Sequence, residues 1–359
     1  MISPSEIAAF TDRLTGARVW QMTSHPSINH PTYFLQSSFT PDGRRILFTS
    51  YRTGSPQLFS VGFPDGEIEQ LTSGAPIHPY SAAIRNDRVF FVRGGEIWTY
   101  GLQSRAERRI AGFDGQLGEV SPDANGDWLV AAIRCGDRNG LVCGRADGSD
   151  WNFIPYPRTV IHPQFHPLEP EWIEFAGDPA PRMHRVRRDG SGLECLYEHG
   201  NDEFVVHETF LGRTGDIVFT VWPRALCRLD WTSRAIRVIS DFNAWHITPN
   251  RAGTQVLCDT NHPDTGIWLI DAQTGARSQV CLSESTNQGT QWRKSFYALK
   301  EDFVSAQKSN LSWMETAVDT VYGPQWTHPH PAFSNDERHI TFTSDRTGNP
   351  QVYVAELLS

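Results

Sequence analysis

Two imidazoles and a side-chain amide fall within six residues in the run Gln325-Trp326-Thr327-His328-Pro329-His330. Imidazole is the commonest neutral metal donor, and the flanking prolines Pro324, Pro329 and Pro331 stiffen the backbone that carries these side chains. Another histidine, His262, stands in Asp259-Thr260-Asn261-His262-Pro263-Asp264, and His207 lies next to Glu208. Thiolates do not join them. The six cysteines (135, 143, 195, 227, 258 and 281) are scattered with no CxxC pair, which disfavours a closed structural zinc site. The chemistry on offer is a cation held by neutral ligands, with positions left open for oxygen donors.

Residues so far apart meet only if the fold brings them together, and the chain repeats. Phe39-Thr40-Pro41-Asp42-Gly43 begins a unit that ends at Phe59, and Phe333-Ser334-Asn335-Asp336-Glu337 begins a similar one that ends at Tyr353. Weaker copies begin near Ile84, Val120, Phe165, Phe210 and Ile247. Each supplies about four short strands at a spacing near 40 residues, as expected of propeller blades. The fold expected is an all-β, seven-bladed propeller forming a single domain over residues 1–359. The last copy ends after its third strand, and Ala17-Arg18-Val19-Trp20-Gln21 resembles the missing fourth. An N-terminal strand completing the last blade would close the ring and remove open edges. Ser3, Pro4 and Glu6 read as a capping box opening a short N-terminal helix. Residues 284–322 exceed any blade connection and read as a partly helical insertion between blades six and seven, placed to act as a lid.

Strands in a blade alternate in direction, so the loop entering the first strand and the loop joining the second and third share one face. Three residues before the first-strand hydrophobe stand His330 (from Phe333), His207 (from Phe210), His162 (from Phe165) and Gln36 (from Phe39). The second loops on that face carry Arg52, Arg182, Arg224, His262 and Arg346. Arg52 and Arg346 occur in Arg-Thr-Gly turns, where structural hydrogen bonding is the expected job. Arg182 and Arg224 break that pattern and are expected to face a ligand. His262, His328, His330 and Gln325 then form a compact neutral metal site. Each has a plainer reading as surface decoration or loop packing, and their convergence on one face is what favours the site.

The net charge of −9 argues against a nucleic-acid partner and requires any acidic ligand to meet a local cationic pocket. No stretch approaches the roughly 20 apolar residues that span a bilayer. The N-terminus lacks a basic start followed by an apolar core, and with unpaired cysteines this sets the expectation of a cytoplasmic protein. Oligomeric state is not legible.

The Gln325-Trp326-Thr327-His328-Pro329-His330 element, the Ser344-Asp345-Arg346 last blade and the opening Gln21-Met22-Thr23-Ser24-His25-Pro26 together resemble the oligogalacturonate lyases, family 22 of the polysaccharide lyases. The blade motifs are shared with TolB-type propellers. The resemblance implies a cation, manganese, held by three histidines and a glutamine, at His262, Gln325, His328 and His330. It implies cleavage of short α-1,4-linked galacturonides by β-elimination in the cytoplasm, with His207 as the base and Arg182 as a substrate-binding arginine. Arg224, His162 and Gln36 are the further substrate-binding candidates. One departure is visible: the family's His-Glu-Phe-Trp reads His207-Glu208-Thr209-Phe210, which puts the sugar held there in question. The competing readings are a lyase for another uronate-containing oligosaccharide and a non-catalytic TolB-like binding propeller.

Overall fold

The repeat motif builds a tight turn between the first two strands of a blade. In the first blade Thr40 Oγ1 donates to Asp42 Oδ1 at 2.7 Å, Arg44 N donates to the same oxygen, and Gly43 takes a φ of +70°. In the last blade Ser334 and Asp336 make the same contact at 2.6 Å, and Glu337 occupies the left-handed position at +58°. Strands of apolar and β-branched residues follow, such as Arg45–Ser50 and His339–Ser344, buried along nearly their whole length.

A computed structural model describes residues 2–200, 202–261, 263–286 and 325–358 of the chain. These form seven antiparallel sheets, five of four strands and two of five. Among the described residues the hydrophobic clusters lie between successive blades rather than inside them. Leu47 and Leu58 of the first blade pack with Val89 and Phe91 of the second, and Met183 of the fourth with Phe219 of the fifth. Val352 and Val354 of the last pack on Ile46 and Phe48 of the first. That last cluster closes the ring, so the protein is a seven-bladed β-propeller.

The closure is the one expected, and more extensive. Arg18–Gln21 pairs antiparallel with Gln351–Glu356, and Ala8–Thr11 adds a fifth strand outside it. The expected N-terminal helix is not formed. Ile2–Ser3 instead pairs as a strand with Ile68–Gln70 of the first blade, so the N-terminal segment ties both sides of the seam. Glu6 does not turn back to cap Ser3. Its carboxylate accepts the backbone N–H groups of Ser24 (2.6 Å) and His25 (3.0 Å) and pairs with Arg52 Nη1 at 3.0 Å. Local capping preference has lost to edge pairing and a long-range ion pair. Glu6→Ala should lower unfolding stability by about 1–3 kcal/mol, read as a lower urea midpoint at unchanged slope. An unchanged midpoint would show that this tie contributes nothing.

Arg52 and Arg346 do the structural work expected of them. Arg52 also bonds Ser50 and Asn29, and Arg346 donates to the carbonyls of Leu282 and Ser283. Most of the predicted insertion lies outside the described residues. The one helical element among the described residues is the 3-10 turn Gln325–Thr327, and no helix there is long and apolar enough to cross a membrane.

Candidate active site and metal centre

The inner strands deliver the chemistry through a repeated irregularity. Register slips by one residue between Ile161 and Gln164 in the fourth blade and between Val206 and Thr209 in the fifth. In the last blade the same slip falls between Pro329, whose carbonyl accepts Thr343 N–H, and Ala332, which pairs with Thr341. The extra residue re-aims a side chain out of the strand. It brings His162, His207 and His330 into left-handed backbone, with φ of +54°, +57° and +47°. Such conformations cost about 1–3 kcal/mol for a residue with a Cβ and cluster at functional sites.

A fourth histidine shares this register. Leu211, Asn250 and Ser334 each donate N–H to the carbonyl of a residue at, or just before, the start of the next strand, namely Asp216, Gln255 and His339. Counting four back from each gives His207, His246 and His330. Sequence reading missed His246 because it anchored the sixth repeat on Ile247, whereas the residue paired like Phe210 and Phe333 is Pro249. With the anchor moved by two, the same rule finds it.

His246, His328 and His330 are 1%, 0% and 1% exposed, and one ring nitrogen from each lies within 4.8 Å of the others. A cation bonded at about 2.1 Å to each imidazole holds its donors about 3.0–3.4 Å apart at tetrahedral or octahedral angles, so the rings need only draw together to complete the site. Asp259 prepares it. Its Oδ1 accepts His246 N–H at 2.7 Å, and its Oδ2 lies 2.8 Å from His246 Nδ1 and accepts His330 N–H at 3.3 Å. In the tautomer that places Nδ1–H on the carboxylate, Nε2 is the lone-pair nitrogen, as in carboxylate–histidine–metal arrangements. Burial, then neighbouring imidazoles, holds His246 and His330 well below the usual histidine range, so both are neutral donors. Burial pushes the Asp259 carboxyl upward against the backbone N–H groups that hold it down. A positive charge at Nε2 is what would favour its ionised form. The donor set fits a divalent transition metal. Asp259→Ala should weaken manganese affinity about 10–100-fold in a calorimetric titration, and unchanged affinity would remove the carboxylate from this role.

The other predicted residues fall around this centre. His207 packs against His246 with ring centroids 4.5 Å apart, and His162 lies 6.2 Å from His207. Burial, then His246 and His162, pushes the His207 imidazole well below its usual range, and its Nδ1 is buried with no hydrogen-bond partner among the described residues. Arg182 reaches the same place, bridging Asp178 Oδ1 at 3.3 Å and Glu208 Oε1 at 3.1 Å. Glu208 is fully buried. Desolvation opposes its charge, but Arg182 and His162 hold its carboxyl far below the usual range. Gln36 is half-buried on the loop between Asn29–Pro31 and Phe39, and Arg224 is exposed in the turn joining Ile217–Val221 to Ala225–Leu229. His262 lies outside the described residues, and Gln325 is described only as the first residue of the 3-10 turn.

The floor of the site was not foreseen. Residues 32–38 leave the inner strand of the first blade and put Phe34, wholly buried, at the centre of the ring. Its ring meets those of His162, His207, His246 and His330 at 5.8, 5.4, 5.2 and 6.3 Å. Thr248 Oγ1 ties the Phe34 carbonyl (2.9 Å) and the Pro331 carbonyl (2.7 Å) into the same unit. The central channel is therefore stoppered, and the imidazoles stand around a closed base.

No protein-family model matches the chain. Oligogalacturonate lyase of Dickeya dadantii (strain 3937) is 22% identical over 407 aligned residues, which cover 97% of this chain and 95% of that protein. The chain resembles the oligogalacturonate lyases from end to end. A solved structure described as oligogalacturonate lyase in complex with manganese has the same fold, with a TM-score of 0.83 at 19% identity, covering 100% of this chain and 98% of the other. The TolB likeness is local. TolB of Bordetella pertussis is 39% identical over 52 residues, 14% of this chain and 11% of that protein. Resemblance to the oligogalacturonate lyases thus runs through all seven blades, whereas that to TolB is confined to a stretch about one blade long.

Proposed function

We propose that this protein is a metal-dependent lyase that cleaves short oligogalacturonides by β-elimination, releasing 4,5-unsaturated uronates. The observation that carries this reading is the buried cluster of His246, His328 and His330 beside His207, in a chain that resembles oligogalacturonate lyases over its full length. A divalent cation on the three imidazoles would supply a Lewis acid for the uronate carboxylate and offset the charge that develops as C5 loses its proton. We take that cation to be manganese, the metal with which the similar lyase structure was solved. Affinity order alone favours later transition metals, so cellular supply would decide.

His207 is the base in this reading. Its neutral imidazole accepts the C5 proton, and its left-handed backbone fixes the direction in which the ring projects. Arg182 is held by two carboxylates beside the His207 bulge, so its guanidinium needs little reordering to meet a uronate carboxylate. Neutral metal ligands leave the cation its full charge, which suits an acidic oligosaccharide. Arg224, on its exposed turn, is the candidate to meet an incoming chain, and His162 and Gln36 are the further substrate-binding candidates. All six cysteines are free, in keeping with a cytoplasmic location.

One observation favours a related substrate. Thr209, standing where the family carries Phe, bonds through Oγ1 to Gln164 Oε1 at 2.7 Å, so a polar pair occupies the strand beside the base. A uronate of different linkage is the reading it would support. The test is a panel of oligouronides, with and without chelator, followed by the ultraviolet absorbance of the conjugated enoate. Metal-dependent product from galacturonides is expected. Product unaffected by chelator, or none from any uronide, would overturn the proposal.

A further inference from the structure

We infer that Tyr33 is the general acid that protonates the departing C4 oxygen, with His162 as its proton-returning partner. This rests on the lyase reading and adds to it a residue and a step. In a galacturonide the C5 hydrogen and the C4 oxygen lie on opposite faces of the sugar, so the base that removes the hydrogen cannot deliver a proton to the oxygen. An alkoxide is a poor leaving group, and a second, separately placed acid is required.

Tyr33 is the hydroxyl placed for it. The loop of residues 32–38 carries it into the mouth, where its ring stands 4.5 Å from Phe34, 5.1 Å from His330 and 5.6 Å from His162. His207 borders the same Phe34 ring at 5.4 Å, so base and acid flank one feature of the floor. Tyr33 is only half-buried, unlike the wholly buried Phe34 beside it. Its Oη lies 3.0 Å from His162 Nε2, and His162 Nδ1 lies 3.4 Å from Glu208 Oε1. The His162 ring thus bridges phenol and carboxylate, so a proton on Nε2 passes to the phenol oxygen and leaves the phenolic proton for the substrate.

The step balances. His207 takes the C5 proton, the C–H electron pair becomes the C4–C5 double bond, and the C4–O pair leaves on the glycosidic oxygen. That oxygen takes the Tyr33 proton, and the phenolate is reprotonated through His162. His207 returns its proton to solvent and His162 takes one up from solvent, so the enzyme is restored with no other reactant.

The test compares two leaving groups on the intact manganese-loaded protein: digalacturonate, whose alkoxide needs a proton, and a 4-deoxy-4-fluoro-galacturonide, whose fluoride does not. Tyr33→Phe should lower kcat on digalacturonate by about 10²-fold or more and on the fluoride by less than about 10-fold, whereas His207→Ala should lose both. Should Tyr33→Phe fold poorly in a thermal melt, His162→Gln is expected to show the same asymmetry between substrates. Equal loss on both substrates would make Tyr33 a channel filler, and no loss on digalacturonate would hand the proton to water; either overturns the assignment. Wild-type protein inert toward both would remove the lyase reading, and the assignment with it.

Discussion

His207→Ala is expected to cut kcat on oligogalacturonides by about 10²–10⁴-fold, the usual contribution of a placed general base, without releasing metal. The two effects separate because His207 stands beside the triad and is not one of its three donors. Its ring is 7% exposed and its neutral form is enforced by burial, so the variant removes a proton acceptor and leaves Asp259 and His246 in place. Turnover and manganese content measured on one preparation check this. An active variant would take the base role from His207. A variant that has lost its manganese would mean that the residue supports the metal centre instead.

The second large effect is loss of a ligand. His328→Ala and His246→Ala should each weaken manganese binding beyond the roughly 10–100-fold typical of outer-shell changes, with activity falling in parallel and returning only at high metal concentration. His246 makes the sharper test because it was not evident from motif. Its equivalence to His207 and His330 follows from pairing register, and its Nδ1 contact with Asp259 at 2.8 Å predicts which nitrogen binds. His262→Ala belongs in the same series. Full metal retention in His246→Ala together with loss in His262→Ala would move the centre off the triad.

The blades were legible because their period is carried by turn chemistry: in the first and last a hydroxyl, an Asp and a left-handed residue mark where the second strand begins, and weaker copies recur between them. Ring closure by Arg18–Gln21 could be foreseen because one strand was missing at one end and spare at the other. The register rule brought out His162, His207 and His330 because a Phe anchors each of those strands. It failed in the sixth blade, where the anchor is Pro249 and the more strand-like Ile247 drew the count two residues early. Tyr33 and Phe34 were hidden for a different reason. A short excursion inside an otherwise regular strand leaves no break in the repeat, and only the pairing of His30 with Thr49 and Phe39 with Ile46 exposes it. The N-terminal helix was misread because Ser3, Pro4 and Glu6 state a local preference, while the open edge of Ile68–Gln70 and the Arg52 guanidinium offered more. Asp259 sat inside a motif already singled out for His262, yet its job depends on a neighbour thirteen residues away.

Anomalous X-ray diffraction from manganese-loaded crystals, collected near the metal's absorption edge, tests the metal centre most directly. The expected result is one strong peak about 2.1–2.3 Å from an imidazole nitrogen of each of His246, His328 and His330, with Asp259 still on His246 Nδ1. A crystal of active, manganese-dependent protein whose only anomalous peak lay away from those three rings would contradict it.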